Sequence, residues 1–510
     1  MTPTPKLNLG QDEFITMAAT QPKPLILPLC TELPLPDISP LNVYQALRTG
    51  CGFLLESMEG SEKLARYSFI GIEPDLIISI GKTVEARGRE PYVSIARDPE
   101  GSNPVDQIKS ILSRFNYVNV RAPRFFGGMV GYFAYDCVYS LFGKISEDPT
   151  KIPESHDAGG HDACFMFSKD CIVMDHRDRK LYIFSSPFLT YDSDPAEEYR
   201  ASAEKILLLA SRIATLNRTD RNGPRQERAT PPRAEAPSVA SQQAFQQSVR
   251  NVREHIVAGD IFQAVISRRL EYPVSNDPFA IYSTLREINP SPYMYYLDFG
   301  DEQVIGASPE MLVRVEKRRV TTVPIAGTRP RGHTVEEDTR LAEDLLRDEK
   351  ERAEHTMLVD LARNDLGRVC RFGSVEVSEF MGIEKFSHVQ HIVSTLNGTL
   401  KDNLDCYDAF KSCFPAGTVS GAPKIRAIQI IGEQEQQPRG LYAGAVGYIG
   451  FDRNLDFAIA IRTILVRNGR ASVQAGAGIV ADSIPENEWK ETENKAAAMI
   501  RAIEQSGACL

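Results

Sequence analysis

Residues 215–241 divide the chain into two parts and limit the folds open to it. The segment reads TLNRTDRNGPRQERATPPRAEAPSVAS, rich in proline, arginine, serine and alanine, with almost no large apolar side chains. Such a composition cannot offset the entropy of ordering by burying apolar surface, so we interpret the segment as a linker. It predicts an N-terminal part (1–214) and a C-terminal part (242–510). A chain of 510 residues forms two domains or one large composite domain.

Patterns typical of β-strands recur on both sides of this linker. Before it, FLLES, SFIGI and DLIISI are short β-rich runs, and FGGMVGYF is a glycine-punctuated strand pattern typical of closely packed backbones. After it, RRVTTVPIAG, AGAVGYIGF and LDFAIAIRTILV predict further strands. The strands cluster instead of alternating regularly with helices. The pattern favours an α+β architecture over a doubly wound sheet.

Charge, cysteine content and hydropathy narrow the functional class. The net charge of −10 disfavours a nucleic-acid binder, which needs a concentrated positive field. Nine cysteines, an odd number with no CxxC pair, disfavour a disulfide framework and a structural zinc site. No signal-like apolar run opens the chain, and no stretch approaches the ~18–20 apolar residues of a membrane span. We therefore expect a cytoplasmic protein that binds neither nucleic acid nor membrane.

Two predicted helices each begin with a capping-box spacing. The first begins at Thr334-Val-Glu-Glu337 and is expected to reach about Asn364. The second begins at Ser483-Ile-Pro-Glu486 and is expected to end at Gln505.

Each of these helices carries an acidic pair, Glu351/Glu354 and Glu488/Glu491. Acidic pairs on helices are usually solvated faces. Here, however, apolar residues such as Leu358 and Trp489 neighbour them, and partly desolvated carboxylates favour a hard counter-cation. Mg²⁺ takes one or two protein carboxylates together with water or substrate oxygens, which suits one glutamate from each helix.

Other motifs offer places for an anion and for proton transfer. The turn PAGTVSGAPK (415–424) either makes a tight turn or holds a carboxylate with its N–H groups and the Thr418 hydroxyl; it lacks the G-K-[ST] ending of a phosphate loop. QAGAG (474–478) has the same two interpretations. Arg462, in the apolar run AIAIRTIL, requires an anion, and a carboxylate is the commonest partner. His391 fits general acid–base chemistry better than zinc, because no third soft ligand is near it and His388.

The order of ten sequence blocks resembles that of the chorismate-utilising enzymes. The blocks are GASPE (306–310), PIAGTRPRG (324–332), KERAEH (350–355), DLARND (360–365), HIVSTLNG (391–398), PAGTVSGAPK (415–424), GLYAGAVGY (440–448), IAIRT (459–463), QAGAGIVADS (474–483) and ETENKA (491–496). The resemblance implies a large composite β-sandwich-like core with surrounding helices. It also implies a regulatory part (1–214) that contributes to this core and a chorismate-binding catalytic part (242–510).

The resemblance assigns roles residue by residue. It implies Mg²⁺ as the cofactor, held by Glu354 and Glu491 with Glu351 nearby. The expected proton-transfer groups are His391 and Glu310, with Thr418 beside the substrate in the catalytic set. The alternative for Glu310 is a structural acid at the end of a strand. The expected substrate-binding residues are Gly327, Thr328, Tyr442, Arg462, Gly476, Gly478 and Lys495.

Two further blocks, Leu54–Ser57 and Asn289–Met294, resemble the tryptophan-inhibited, anthranilate-forming branch of this family. In several relatives that make other products a lysine precedes the Gly-Thr of the PI-x-GT block, and here that position is Ala326. Alanine cannot act as nucleophile or base, but it leaves room for ammonia. The expected tryptophan-binding residues are Glu56, Ser57, Lys63, Pro292, Tyr293, Met294, Val446, Gly447 and Tyr448.

This branch implies the conversion of chorismate and ammonia to anthranilate and pyruvate through 2-amino-2-deoxyisochorismate, the first committed step of tryptophan biosynthesis. The chain has no G-x-C-x-G nucleophile motif. We therefore expect a hetero-oligomer in which a separate glutamine amidotransferase subunit supplies ammonia. Two alternatives stay open at this point: an enzyme that stops at the aminated intermediate without releasing pyruvate, and a catalytically inactive tryptophan sensor.

Overall fold

The computed structural model describes residues 6–58, 66–120, 123–143, 145, 160–216, 239–274, 277–386, 389–435 and 437–507. Residues 217–238 of the predicted linker, together with Lys63 and His388, lie outside these ranges. None of the eight cysteines within them forms a disulfide. No helix in the described ranges is both long and apolar enough to cross a membrane.

Thirteen helices are found in the described parts of the chain. They are α1 (Gln11–Thr20), α2 (Pro40–Leu47), α3 (Tyr92–Ala96), α4 (Pro104–Ser113), α5 (Val138–Leu141), α6 (Pro195–Thr215), α7 (Val239–Val257), α8 (Pro278–Ile288), α9 (Val335–Arg347), α10 (Glu349–Val369), α11 (Cys406–Cys413), α12 (Lys424–Gln434) and α13 (Pro485–Gln505).

The strands from the N-terminal part and the first strand after it are β1 (Leu25–Ile26), β2 (Cys30–Pro34), β3 (Gly52–Glu56), β4 (Tyr67–Ile72), β5 (Leu76–Ile80), β6 (Val84–Gly88), β7 (Asn116–Tyr117), β8 (Gly128–Phe133), β9 (Ala163–Ser168), β10 (Asp170–Asp175), β11 (Lys180–Ser185), β12 (Phe188–Leu189) and β13 (Gln263–Pro273). The remaining strands are β14 (Tyr293–Asp298), β15 (Glu302–Ser308), β16 (Met311–Glu316), β17 (Arg319–Thr322), β18 (Ile325–Pro330), β19 (Glu376–Lys385), β20 (Val389–Thr399), β21 (Gly421–Ala422), β22 (Ala445–Gly450), β23 (Leu455–Ile459), β24 (Thr463–Arg467) and β25 (Arg470–Ile479).

Two eleven-stranded sheets contain most of these strands. Sheet I has the order β2-β11-β10-β4-β3-β14-β15-β24-β25-β13-β21. Sheet II has the order β18-β20-β17-β16-β23-β22-β8-β9-β5-β6, with β19 pairing to β20. A third, three-stranded sheet has the order β12-β1-β7. The α+β class predicted from the clustering of strands is confirmed.

Both large sheets join strands from the two parts of the chain. In sheet I, β3 pairs antiparallel with β14, with Glu56 opposite Met294. In sheet II, β8 pairs antiparallel with β22, with Gly131 opposite Gly447. Gly131 belongs to the predicted glycine-rich strand, and a Cβ there would lie 2.0 Å from the Cys164 carbonyl oxygen. The prediction of close backbone packing is therefore confirmed at this strand.

The main apolar core lies between the two large sheets. Phe69 of sheet I packs edge-on against Tyr448 of sheet II, with ring centroids 5.5 Å apart. Tyr132 of sheet II packs against Phe299, which follows a sheet I strand. A second cluster fills the space between sheet I and helices such as α8 and α13. The expected β-sandwich-like core with surrounding helices is thus present.

Two helix predictions were wrong in detail. The single helix expected from Thr334 to about Asn364 is two helices, because Asp348 ends α9 and caps α10 by accepting from the backbone N–H groups of Lys350 and Glu351. Ser483 does not cap α13. Its hydroxyl accepts from the Val480 N–H, and the helix begins at Pro485 without a side-chain cap. The Thr334 cap and the end of α13 at Gln505 are as predicted.

Candidate active site

One cavity collects most of the predicted catalytic and substrate-binding residues. Its empty volume is about 1040 Å³. It lies where the ends of β13, β18 and β25 meet helices α10 and α13. The predicted residues that line it are Glu310, Gly327, Thr328, Glu354, His391, Thr418, Tyr442, Arg462, Gly476, Gly478 and Lys495. Ala326 lines it as well.

Glu310 is a buried carboxyl group at the wall of this cavity. It follows β15 directly, and the Ile459 N–H donates to its backbone oxygen, which fixes the backbone there. Burial raises the pKa of Glu310 to about 8, although the Thr418 hydroxyl, Lys495 and Arg462 act in the opposite direction. At neutral pH the side chain is therefore protonated and able to donate a proton.

His391 lies on β20 and is held in one orientation. Its Nδ1 is 2.8 Å from the Gly327 carbonyl oxygen and 3.1 Å from the Thr328 hydroxyl. A carbonyl oxygen only accepts, so Nδ1 carries the proton and Nε2 is left as the basic nitrogen. Burial lowers the pKa of His391, and the charge of Arg462 adds to this effect. The imidazole is therefore neutral and able to accept a proton at neutral pH.

Arg462 supplies a partly buried positive charge. It follows β23 with φ of 50°, in the left-handed region that is uncommon for residues other than glycine. Within the described ranges, no carboxylate lies within ion-pair distance of its guanidinium, although Glu310 is near enough to favour its charge. A partly buried guanidinium without a counter-ion favours an anionic ligand. The sequence prediction that Arg462 needs an anion therefore fits its surroundings.

Tyr442 lines the same cavity as Arg462, and Arg439 holds its ring in place. The Arg439 guanidinium lies 5.5 Å from the centre of the Tyr442 ring. It also donates to the Val419 and Val265 carbonyl oxygens at 2.8 and 2.6 Å, and it pairs with Glu435. Burial raises the pKa of Tyr442 to about 12, so its phenol stays a hydrogen-bond donor.

The glycines of β25 leave room for neighbouring side chains. A Cβ on Gly476 would lie 2.5 Å from the Tyr442 hydroxyl, and a Cβ on Gly478 would lie 2.6 Å from Gln263 Nε2. Lys495 of α13 donates to the Gly476 carbonyl oxygen at 3.0 Å. The segment lies within β25 and pairs with β13, so its interpretation as a tight turn is wrong, and these close contacts explain its glycines.

Carboxylates from α10 and α13 approach one another at the edge of the cavity. Burial raises the pKa of Glu354, and the negative charges of Glu351 and Glu491 raise it further. Glu491 is 2.7 Å from Lys495. The charges of Glu354 on α10 and Glu491 on α13 therefore interact, as a site that takes one glutamate from each helix requires.

The donor chemistry of this acidic group fits Mg²⁺. In the described parts of the chain, no three His, Cys, Asp or Glu side chains form a ready-made metal cluster. Mg²⁺ does not require one, because it commonly takes one or two carboxylates and completes its shell with water and substrate oxygens. Mutual repulsion among Glu351, Glu354 and Glu491 is what a divalent cation would relieve. Glu354 and Glu491 are the residues that would hold it.

Gln263 also lines the cavity and was missed from the sequence. It is the first residue of β13, its side chain is 5% exposed, and its amide oxygen has no hydrogen-bond partner among the described residues. The available signal was a polar residue in the otherwise apolar run IFQAVI.

A second, smaller cavity of about 520 Å³ lies between the two sheets at the β3–β14 junction. Its lining contains every predicted tryptophan-binding residue in the described ranges: Glu56, Ser57, Pro292, Tyr293, Met294, Val446, Gly447 and Tyr448. The Ser57 hydroxyl donates to the Pro292 carbonyl oxygen at 2.6 Å. The Glu56 carboxylate is already bound by Tyr282 and Arg286 of α8.

The sequence of the chain is similar to a known protein family and to individual members of it. A family profile described as chorismate binding enzyme matches residues 53–501. Anthranilate synthase component 1 of Acetivibrio thermocellus is 45% identical over 491 residues, covering 94% of this chain and 96% of the relative. Its counterpart from Aquifex aeolicus is 46% identical over 486 residues, covering 94% and 95%.

Solved structures agree with the sequence relatives. The crystal structure of anthranilate synthase component I from Streptococcus pneumoniae superposes with a TM-score of 0.71 at 37% identity, covering 92% of this chain and 99% of that one. A menaquinone-specific isochorismate synthase from Escherichia coli gives a TM-score of 0.67 at 18% identity, covering 97% and 98%. At that identity the second likeness shows a shared fold alone.

Proposed function

Because the chain belongs to the family of chorismate-binding enzymes, we propose that it converts chorismate and ammonia to anthranilate and pyruvate through 2-amino-2-deoxyisochorismate. This reaction is the first committed step of tryptophan biosynthesis. One observation carries the proposal: Glu310, His391 and Arg462, whose guanidinium has no ion-pair partner among the described residues, all line one cavity. An acid, a base and an anion site are what the reaction requires.

Substrate binding rests on two positively polarised regions of the cavity. Arg462 and the Tyr442 phenol bind the enolpyruvyl carboxylate, because one supplies a charge without an ion-pair partner in the described chain and the other a fixed donor. Glu354 and Glu491 would hold Mg²⁺, and the metal would supply positive charge that favours binding of a carboxylate and withdrawal of electron density from the ring. Gly327, Thr328, Gly476, Gly478 and Lys495 line the substrate between these regions.

The first chemical step adds ammonia and removes the C4 hydroxyl. The nitrogen forms a bond to C2, the ring double bonds shift, and the C4–O bond breaks. Glu310 donates its proton to the departing oxygen, which leaves as water. The Thr418 hydroxyl beside Glu310 favours the carboxylate that results. Ala326 has a one-carbon side chain and leaves space for a nucleophile as small as ammonia.

The second step releases pyruvate and makes the ring aromatic. His391 Nε2 takes the proton from C2, and the electrons of that C–H bond form the new ring double bond. The C3–O bond breaks, and its electrons leave with the enolpyruvyl oxygen, which becomes pyruvate after protonation. Because His391 is neutral before the step, it can accept the proton that aromatisation releases.

Nitrogen supply and location complete the proposal. The chain lacks a G-x-C-x-G motif, so a separate glutamine amidotransferase subunit supplies ammonia in a hetero-oligomer. We place the reaction in the cytoplasm, because eight described cysteines are unpaired and typical of a reducing compartment.

We further propose that tryptophan inhibits the enzyme by binding in the second cavity. Two strand connections link that cavity to the active site. Tyr293 of β14 pairs with Ser308 of β15, two residues before Glu310. Val446 of β22 pairs with Ala458 of β23, which leads to Arg462. A ligand that shifts either pairing changes the position of a catalytic group. A ligand that binds the shifted conformation more tightly therefore inhibits the enzyme allosterically.

The decisive assay for the reaction uses the purified chain with chorismate, Mg²⁺ and ammonium at raised pH, where NH₃ is populated. We expect fluorescent anthranilate and pyruvate in equal amounts, and no activity with glutamine alone. Accumulation of 2-amino-2-deoxyisochorismate without pyruvate would show an enzyme that stops after amination. Binding of tryptophan without turnover of chorismate would identify a sensor.

The assay for regulation uses Ser57→Phe and Met294→Thr. The first fills the second cavity and the second removes apolar contact within it. Both variants should lose inhibition by tryptophan while keeping the uninhibited rate within about twofold, because neither residue lines the active-site cavity. Unchanged inhibition in both variants would place the tryptophan site elsewhere.

A further inference from the structure

Gln263 has a buried polar group whose partner is not supplied by the described protein residues. Its side chain is 5% exposed and lines the active-site cavity. Its amide oxygen has no hydrogen-bond partner among the described residues. Burying an amide oxygen without a donor is unfavourable, and such oxygens are normally satisfied. An unpartnered oxygen on a residue that lines the cavity therefore indicates a donor that arrives with a ligand.

The surroundings of Gln263 hold its side chain in place. Its backbone pairs with Ala422 of β21 at the edge of sheet I. The amide nitrogen packs against Gly478, where even a methyl group would lie only 2.6 Å away. The Gln263 side chain therefore packs on Gly478, which we propose lines the substrate. Because Gly478 has no side chain, it leaves the space that the amide occupies.

The chemistry of the reactants leaves few possible donors. Both carboxylates of chorismate are ionised at neutral pH and only accept hydrogen bonds. The C4 hydroxyl of chorismate and the N–H groups of ammonia are the donors that remain. An amide oxygen does not take up a proton in this pH range, so it can orient a donor without competing with His391 as a base.

We propose that Gln263 is a substrate-binding residue whose Oε1 accepts a hydrogen bond from a neutral donor of the bound reactants, either the C4 hydroxyl or ammonia. The proposal rests on the reaction proposed above and adds a specificity element to it. Gln263 Oε1 is then a neutral hydrogen-bond acceptor in the cavity, in addition to the acid, the base and the two carboxylate-binding regions. A hydroxyl or amine at the reacting end of the ligand is then recognised as well as its charges.

The test compares Gln263→Met with a matched control, Gln390→Met. Methionine keeps the length of the side chain and removes the amide. Gln390 is also fully buried with an amide oxygen lacking a partner among the described residues, but it does not line the cavity. Its amide nitrogen donates to the Pro330 and Asp338 carbonyl oxygens, each at 3.3 Å. Gln390→Met therefore shows how replacing a buried glutamine by methionine affects stability and kinetics at a site outside the cavity.

We expect Gln263→Met to raise one reactant's KM about tenfold without lowering the thermal midpoint of the protein. If the donor is the C4 hydroxyl, the KM and Kd for chorismate rise and the KM for ammonium stays constant. If the donor is ammonia, the ammonium KM rises and chorismate binding, measured by titration with Mg²⁺, is unchanged. Gln390→Met should show the opposite pattern, with a lower thermal midpoint and unchanged KM values.

The proposal is overturned if Gln263→Met leaves both KM values unchanged, or if it lowers the thermal midpoint with no effect on either reactant. Wild-type protein that makes no anthranilate would instead refute the proposed reaction. In that case the chorismate titration still shows whether Gln263→Met weakens chorismate binding more than Gln390→Met does.

Discussion

Replacing Glu310 with glutamine should stabilise the protein while abolishing its activity. The pKa of Glu310 rises from its ordinary value of 4.5 to about 8 because the side chain is buried. Below pH 4.5 the group is protonated in both the folded and the unfolded states. Between that pH and about 8 the unfolded state has lost the proton and the folded state retains it. The free energy of unfolding therefore falls as the pH rises through this window, by about 1.4 kcal/mol for each pH unit.

The magnitude follows from this slope. At about pH 7 the carboxyl group has cost the folded state about 3 kcal/mol, whereas at about pH 5 it has cost about 1 kcal/mol. Glutamine has no such titration. The stability of Glu310→Gln relative to wild type should therefore increase by about 2.5 kcal/mol between these two pH values. Anthranilate formation should be lost at both, because glutamine cannot donate a proton to the C4 oxygen.

Urea unfolding followed by circular dichroism at both pH values measures this difference. Glu302→Gln is the matched control, because the buried Glu302 carboxylate pairs with Arg467 and accepts from the Tyr132 hydroxyl at 2.7 Å. Loss of the Glu302 carboxylate should destabilise the protein, since it leaves the partly buried Arg467 guanidinium without its partner. A difference between Glu310→Gln and wild type that does not change with pH would show that Glu310 is ionised in the folded protein. Its role as the acid would then be wrong.

Three other substitutions test separate parts of the cavity. Gly476→Ala places a methyl group 2.5 Å from the Tyr442 hydroxyl, so we expect chorismate KM to rise at least about tenfold in steady-state kinetics; an unchanged KM would argue against Tyr442 as a ligand. Ala326→Lys fills the space assigned to ammonia, and product chromatography should show most anthranilate lost while chorismate still binds in a titration; a wild-type yield would show that position 326 does not face the reacting carbon. Glu491→Gln removes a carboxylate from the proposed metal site, and turnover should nearly vanish while the circular dichroism spectrum is retained; near-normal activity at low Mg²⁺ would refute the assignment.

The chemistry of the cavity could be predicted where a residue conflicts with its local sequence. Arg462 is such a case, because a charged side chain in an apolar run needs an anion wherever the strand lies. The acidic pairs on two helices likewise indicated a cation held by one glutamate from each helix, and the family resemblance selected Glu354 and Glu491, whose charges interact. Gln263 conflicts with its apolar run in the same way. It was missed because an uncharged amide is readily satisfied by backbone groups in most strands.

Positions set by long-range contacts could not be read from the sequence. The break at Asp348 depends partly on Arg329 of β18, which donates to Asp348 and Asp344 and holds the end of α9. The sequence has the capping-box spacing at Ser483, but the serine hydroxyl accepts a hydrogen bond from the Val480 N–H and does not cap the helix. The order of strands in the two large sheets depends on pairings between residues far apart in sequence, and periodicity carries no information about such pairings.

The pairing of β3 with β14 and of β8 with β22 has a consequence for synthesis on the ribosome. When the N-terminal part has emerged, β3 and β8 each have one partner strand, and the strands that complete their pairing have not yet been made. Open strand edges are templates for aggregation. The nascent chain therefore has two exposed edges that must be shielded, by chaperones or by delayed folding, until β22 has been translated.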